Sequence, residues 1–328
     1  MKIDVTEYEK KYTFELETVT QLCGQNIMKK TYIMESLRRY FSTYKYREEK
    51  NKWRDNVSVN DELVGRKYFS VLSISSMSDV LQMIKLSKQS LMMEYIRQLT
   101  QKFDDQLCLH VITNELEKIF EMLNDDLKEL GDLEMTYEVS NLWEMVQKSN
   151  VTGRGQSVLE DKSNYELLVI FLNLLEEILK SNPKKMMVLI ENMDHFLIRD
   201  EYKSVLDKMC DIGMQFDIYF IVSISLDGYA KINKGLCRGV TIFGDCDFQM
   251  PEYEEISKYI HENYPCYKQF TEEQIQHILE RVVQRIGKND FLNTIEENIV
   301  CKMINNTLMI DGCWKNNDCI PEIAFLRS

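Results

Sequence analysis

Gly24-Gln25-Asn26-Ile27-Met28-Lys29-Lys30-Thr31, GQNIMKKT, is the stretch on which the fold turns. Its frame is Gly-x-x-x-x-Lys-Lys-Thr. The phosphate-binding loop of P-loop NTPases reads Gly-x-x-x-x-Gly-Lys-Ser/Thr, so a single position differs. Lys30 and Thr31 stand where the phosphate lysine and the magnesium hydroxyl would be, and Lys29 replaces the second glycine. Glycine there lets backbone N–H groups turn in on a phosphate with no Cβ in the way. A lysine resists that backbone and puts a long chain in the cradle. The flanks fit the motif: Phe14, Leu16, Val19 and Leu22 form an apolar run before it, and residues 32–40 can continue as a helix. The stretch reads either as a degenerate nucleotide loop or as a chance match.

Working outward, MMVLIENMD (Met186–Asp194) is an apolar run with Glu191 and Asp194 at its end. That is the pattern of a buried parallel strand with carboxylates at its C-terminal tip, where open α/β sheets place their sites. IYFIVSIS (Ile218–Ser225) and VTIFG (Val240–Gly244) are two more such runs. The order of loop, acidic strand and Ser-tipped strand is that of an NTPase-like α/β head, and an ordinary α/β core is the plainer alternative. Gly24, Lys30, Thr31, Glu191 and Asp194 together make a vestigial nucleotide site, at which no nucleotide is expected.

The chain has 328 residues, 44% of them hydrophobic, enough for a large core in two or three domains. No run approaches the ~18 apolar residues of a membrane-spanning helix. The charged start MKIDVTEYEKKY is not that of a signal peptide. Nine scattered cysteines without a C-x-x-C pair argue against zinc and for a reducing cytoplasm. Net charge is −13, but residues 29–67 hold eleven basic against six acidic side chains, a surplus of five that leaves −18 elsewhere. Such segregation puts a basic surface on an acidic body.

In chain order, KIDV and TFELETVTQL read as strands, and the helix after Thr31 carries Ile33, Leu37, Tyr40 and Phe41 on one side with Arg38 and Arg39 on the other. Residues 44–67 are polar and basic with Tyr44, Tyr46 and Trp53 among them, so they are either a solvated loop or a phosphate-backbone contact. YFSVLSI (Tyr68–Ile74) reads as a core strand. Residues 78–182 read as an inserted helical arm, opened by Ser78 and Asp79 as caps, with helices through Ile112–Leu130, Tyr137–Lys148 and Tyr165–Lys180. Residues 1–77 and 183–250 form the α/β head. Residues 251–328 form a C-terminal helical extension, in which Pro251 can open a helix and Thr271-x-x-Gln274 is a capping box. Asp125, Asp126, Glu129, Asp132, Glu134 and Glu138 cluster around Gly131, and hard cations favour oxygen donors at such a bend, although the spacing is not that of an EF-hand. His195, beside Asp194, is either a base or a packing residue. No G-x-S-x-G, H-E-x-x-H or complete phosphate loop is present.

With these residues in place, the chain resembles the large form of the accessory spacer-acquisition protein of type II-A CRISPR systems, over essentially its whole length. The likeness rests on TQLCGQNIMKKTYIMESLRRYFSTYKYREEKNKWRDNVSV, NPKKMMVLIENMDHF, QFDIYFIVSISLDGY, the FGDCDFQMPE turn and the closing EIAFLRS. The resemblance implies an ATPase-like head with degenerate nucleotide motifs, a helical arm and, in the large form, a C-terminal helical extension. It also implies a homotetrameric ring with a basic channel that binds linear double-stranded DNA through free ends, without catalysis. The implied partners are the CRISPR integrase and the RNA-guided effector nuclease. Shorter relatives bind calcium in the acidic bend of the arm, and GDLEMTYE is similar to that bend, which makes Asp132, Glu134 and Glu138 the candidate ligands. The DNA-binding set is placed by charge: Lys29, Lys30, Arg38, Arg39, Lys45, Arg47, Lys50, Lys52 and Arg54. An active P-loop ATPase acting on DNA and an interaction scaffold of the acquisition complex are the alternative readings.

Overall fold

The computed structural model describes residues 1–42, 56–100, 114–124, 149, 151–152, 158–266, 268–288 and 294–309. By contacts the chain forms two compact units, Met1–Ser75 with Lys184–Ser328, and Ser76–Pro183. The C-terminal helices thus group with the α/β unit.

The first unit opens with β1 (Lys2–Glu7), β2 (Lys10–Glu15), β3 (Val19–Cys23) and α1 (Ile27–Tyr40). Next come β4 (Val57–Val59), β5 (Glu62–Leu63) and β6 (Ser70–Ile74). The second unit holds α2 (Met77–Ile84), α3 (Leu91–Thr100), a helical stretch at 114–124, and α4 (Asn164–Ser181). The chain returns to the first unit in β7 (Met186–Ile190), α5 (Met193–Phe196), α6 (Arg199–Gln215), β8 (Ile218–Ser223), β9 (Val240–Phe243) and β10 (Asp247–Gln249). It continues in α7 (Tyr253–Asn263), α8 (Glu272–Val282) and α9 (Ile295–Thr307).

The larger sheet has strand order β10-β9-β3-β8-β7-β6. Its five longer strands run parallel, and β10 adds antiparallel at the β9 edge. β3, β7 and β9 are buried at every position, as a sheet covered on both faces requires. The smaller sheet, β2-β1-β4-β5, is antiparallel throughout. Between them lies α1, whose Ile33, Met34, Leu37 and Tyr40 share one core with Ile3, Val5 and Phe14 of the small sheet and Leu22, Met187, Ile221 and Phe243 of the large one. Each such fully buried aliphatic side chain contributes about 1.5–3 kcal/mol.

Several expectations need correction. TFELETVTQL is two strands in different sheets: β2 ends at Glu15, and Thr20 Oγ1, which accepts from Glu17 N at 3.0 Å, fastens the connection before β3 continues. Part of the stretch read as either a solvated loop or a phosphate-backbone contact, 56–63, supplies β4 and β5. The helix after Ser75 is capped by Ser76, with Asp79 as the third helical residue reaching back to the Ser76 N–H at 2.9 Å. Pro251 precedes α7, whose N-cap is Glu252. The Thr271–Gln274 capping box opens α8 as read, and Ser163–Glu166 and Thr294–Glu297 make two more. The expected helix over Tyr137–Lys148 lies outside the described residues.

Candidate functional site

β3 delivers the GQNIMKKT stretch to the C-terminal edge of the parallel sheet. Its loop is short, because Asn26 caps α1 by accepting from Lys29 N at 3.0 Å and the helix begins at Ile27. A phosphate cradle needs that span as open loop with its N–H groups pointing inward. Here those groups are engaged by the chain itself. Gly24 N donates to Gln284 Oε1 at 2.8 Å, from the turn of 3-10 helix that follows α8. Asn26 N donates to Phe243 O at 3.0 Å, and Ile27 N to Gln25 O at 2.9 Å. Gly24 takes φ +87°, and a Cβ there would meet Phe243 O at 2.4 Å, so glycine is required by the close approach to β9.

The two lysines are also committed. Lys30 is buried, and its Nζ donates to Ile224 O, the carbonyl just past β8. Burial holds its pKa below the usual lysine value, while Cys23 and Asp194 act in the opposite direction. Lys29 Nζ lies 2.8 Å from both Gly244 O and Asp247 Oδ1, at the β9–β10 turn. Thr31 is exposed on α1.

β7 ends at Ile190, so Glu191 and Asp194 are not on the strand. Glu191 N pairs with Ile74 O at 2.8 Å, and Glu191 Oε1 accepts from Ser75 Oγ at 3.3 Å. Asn192 then takes the left-handed conformation, φ 59°, which turns the chain into α5 and buries Asp194. Asp194 Oδ2 accepts from Ser225 N (2.7 Å), Ser225 Oγ (3.0 Å) and Leu226 N (2.8 Å). It therefore ties the β7 tip to the β8 tip. His195 Nε2 sits 2.8 Å from Ser225 Oγ, a packing role rather than that of a poised base, because the serine oxygen is already held by Asp194. Asp194 Oδ1 and the Tyr202 hydroxyl are buried with no hydrogen-bond partner among the described residues.

Gly24, Lys30, Glu191 and Asp194 thus meet at one sheet edge, and Thr31 lies on the helix that starts there. Of the residues expected to face DNA, Lys29 and Lys30 belong to this edge and are bonded within it. Arg38 and Arg39 lie in the last turn of α1, both paired with Glu35. Lys45, Arg47, Lys50, Lys52 and Arg54 lie outside the described residues, as do Asp132, Glu134 and Glu138. Among the described residues no cluster of three or more His, Cys, Asp or Glu could hold a metal. No helix among them is long and apolar enough to cross a membrane. The residue missed from sequence is Gln284; no local signal marks it, because its partner is 260 positions away.

The family model described as CRISPR-associated protein Csn2, subfamily St, matches residues 5–309. The crystal structure of Stu0660 of Streptococcus thermophilus is similar, with a TM-score of 0.85 and 22% identity, covering 99% of this chain and 100% of that one. At that identity the likeness speaks for the mixed α/β fold. No curated protein matches. The chain belongs to the Csn2 family of CRISPR-associated proteins, in its St subfamily.

Proposed function

We propose that this chain is a non-catalytic, ring-forming protein of the large form, acting in type II-A systems, that binds the ends of linear double-stranded DNA during spacer acquisition. Family membership carries the CRISPR adaptation-associated role. The finer reading draws on charge and on the sheet edge. An acidic body with a basic stretch at 29–67 suits a homotetrameric ring whose lumen concentrates positive potential on phosphates. Its partners in this reading are the CRISPR integrase and the RNA-guided effector nuclease, and its compartment is the cytoplasm.

The observation that favours this reading over an ATPase is the closed loop at Gly24–Asn26. In the order β9-β3-β8-β7-β6, the loop strand and the acidic strand flank the Ser-tipped β8, which supports a P-loop-like ancestry for the head. The loop donors, however, end on Gln284 and Phe243, and Lys30 ends on Ile224. A nucleotide would have to displace all three. Calcium at Asp132, Glu134 and Glu138 stays part of the proposal, since carboxylates are the donors a hard cation takes.

Reversing Lys45, Arg47, Lys50 and Lys52 to Glu tests the DNA assignment. Duplex affinity should fall sharply and its salt dependence should flatten. Unchanged affinity in a folded, still oligomeric variant would overturn it.

A further inference from the structure

The α/β unit is electrically polarised along its strands. Open α/β sheets hold their ligands outside the C-terminal ends of the strands. Here that edge carries Glu191, Asp194, Asp227, Asp245 and Asp247. Its cations are engaged within the fold: Lys29 pairs with Asp247 and Arg285 with Asp227, at 2.8 and 2.5 Å, Arg199 Nη2 donates to Asp227 O at 3.1 Å, and Lys30 is buried. An anionic polymer meets no free cation among these groups.

The opposite edge differs. α1 runs from one edge to the other. It starts against β9 through the Asn26–Phe243 bond and ends where Tyr40 Oη donates to Val64 O, with the Phe41 and Phe69 rings 5.2 Å apart. Its last turn carries Arg38 and Arg39, both paired with Glu35, and its Tyr40 bonds the loop that feeds β6, which carries Arg66 and Lys67. Lys185 joins them just before β7, because its carbonyl accepts from Ser70 N at 2.9 Å. Its ammonium lies 4.1 Å from the centre of the Tyr68 ring and bonds the Tyr68 hydroxyl at 3.0 Å, so it is held in place without an acidic partner. Arg66, Lys67 and Lys185 make no ion pair among the described residues. Two acids of this edge are engaged by other groups: Asp217 bonds the Tyr219 hydroxyl, whose ring lies 6.0 Å from the Lys185 ammonium, and Glu17 pairs with Arg238.

We infer that the DNA phosphate backbone is held at the N-terminal edge of the parallel sheet, by Arg66, Lys67 and Lys185 beside the end of α1, on the side of the head away from the closed nucleotide loop. This rests on the duplex-binding reading proposed above and names the surface that carries it. It also moves the contact off Lys29 and Lys30. Lysine and arginine at this edge displace condensed counterions, so their share of the binding is read in its salt dependence.

The test compares the full-length protein, the Arg66→Glu/Lys67→Glu variant and a charge-matched control, Lys258→Glu/Lys302→Glu, whose changes lie on α7 and α9. Binding of a linear duplex is measured from 50 to 200 mM salt. The edge variant should lose at least tenfold in affinity at the low end, and its log–log salt slope should be shallower by about two. The control should stay within twofold of the unmodified protein. If the unmodified protein binds duplex and the edge variant matches it in affinity and slope, the edge assignment is wrong while the DNA reading stands. If the unmodified protein fails to bind duplex at any salt, the DNA reading itself falls, and this assignment with it.

Discussion

Gln284 Oε1 accepts the N–H of Gly24 at 2.8 Å, joining the turn after α8 to the first residue of the degenerate loop. Both groups are buried. The loop's first donor is thus held by the C-terminal part of the same chain. Gln284→Ala leaves the Gly24 N–H buried without an acceptor, at a cost of about 1–3 kcal/mol. Urea denaturation should show that loss, with no gain of ATP binding. A variant as stable as the parent would mean that the bond contributes nothing.

Gly24→Ala should be at least as damaging. Its φ of +87° disfavours any Cβ, and the added methyl would meet Phe243 O at 2.4 Å. The expected loss is about 2 kcal/mol or more, read as a lower denaturation midpoint with an unchanged slope. A variant within 0.5 kcal/mol of the parent (on the order of ordinary surface changes) would show that the loop can move off β9.

Lys29→Gly restores the glycine of the phosphate-loop pattern, but it also removes the two bonds to Gly244 and Asp247. A working cradle should not appear, because Gln284, Phe243 and Ile224 still hold the loop. Fluorescent ATP analogue binding should stay at background in this variant, with a modest drop in stability. Saturable binding in the micromolar range would show that Lys29 alone keeps the site shut.

The buried thiols and phenols give the chain a defined alkaline response. Burial pushes the Cys23 thiol up to about 12 from an ordinary 9.0, and raises the Tyr202 phenol well above its usual value. The unfolded chain releases the thiol proton first, so this stability is full below pH 9 and is lost as pH climbs toward 12. Lys30 acts in the opposite sense: burial lowers its pKa, so the folded state sheds that proton first, and stability rises with pH in the window below 10.5. Thermal unfolding against pH should therefore fall above pH 9 in the parent. It should fall more steeply in Lys30→Met, which lacks the opposing contribution. An identical profile for the two would place Lys30 in contact with water.

Accessibility separates the cysteines. Cys246 and Cys266 are exposed, whereas Cys23, Cys237 and Cys301 are buried. Native-state labelling with iodoacetamide, mapped by peptide mass, should modify the first pair and spare the other three. Rapid labelling of Cys23 would contradict the packing of β3.

Much of the parallel sheet was legible in the sequence, because long apolar runs such as MMVLI and IYFIVS have few other places to go than a doubly covered strand. Capping boxes such as Thr271–Gln274 were readable for the same local reason. Two- and three-residue strands such as β5 and β10 were not, since they exist only by pairing with a neighbour. Alternation hid the break between β2 and β3, because Leu16 is buried like a strand residue although it lies between the two. At the candidate site, the sequence placed Gly24, Lys30, Glu191 and Asp194 at strand ends, and the structure brings them to one edge. The direction of Lys29 and Lys30 was not readable. It depends on Asp247, Gly244 and Ile224, all about two hundred residues away.

The most direct measurement is a gel shift of one plasmid, covalently closed and linearised, at physiological salt, with and without ATP and magnesium. A ring that loads through free ends predicts binding to the linear form alone, at the same affinity with or without ATP. Equal binding of both forms would contradict end recognition, and binding that requires ATP would contradict the closed loop at Gly24.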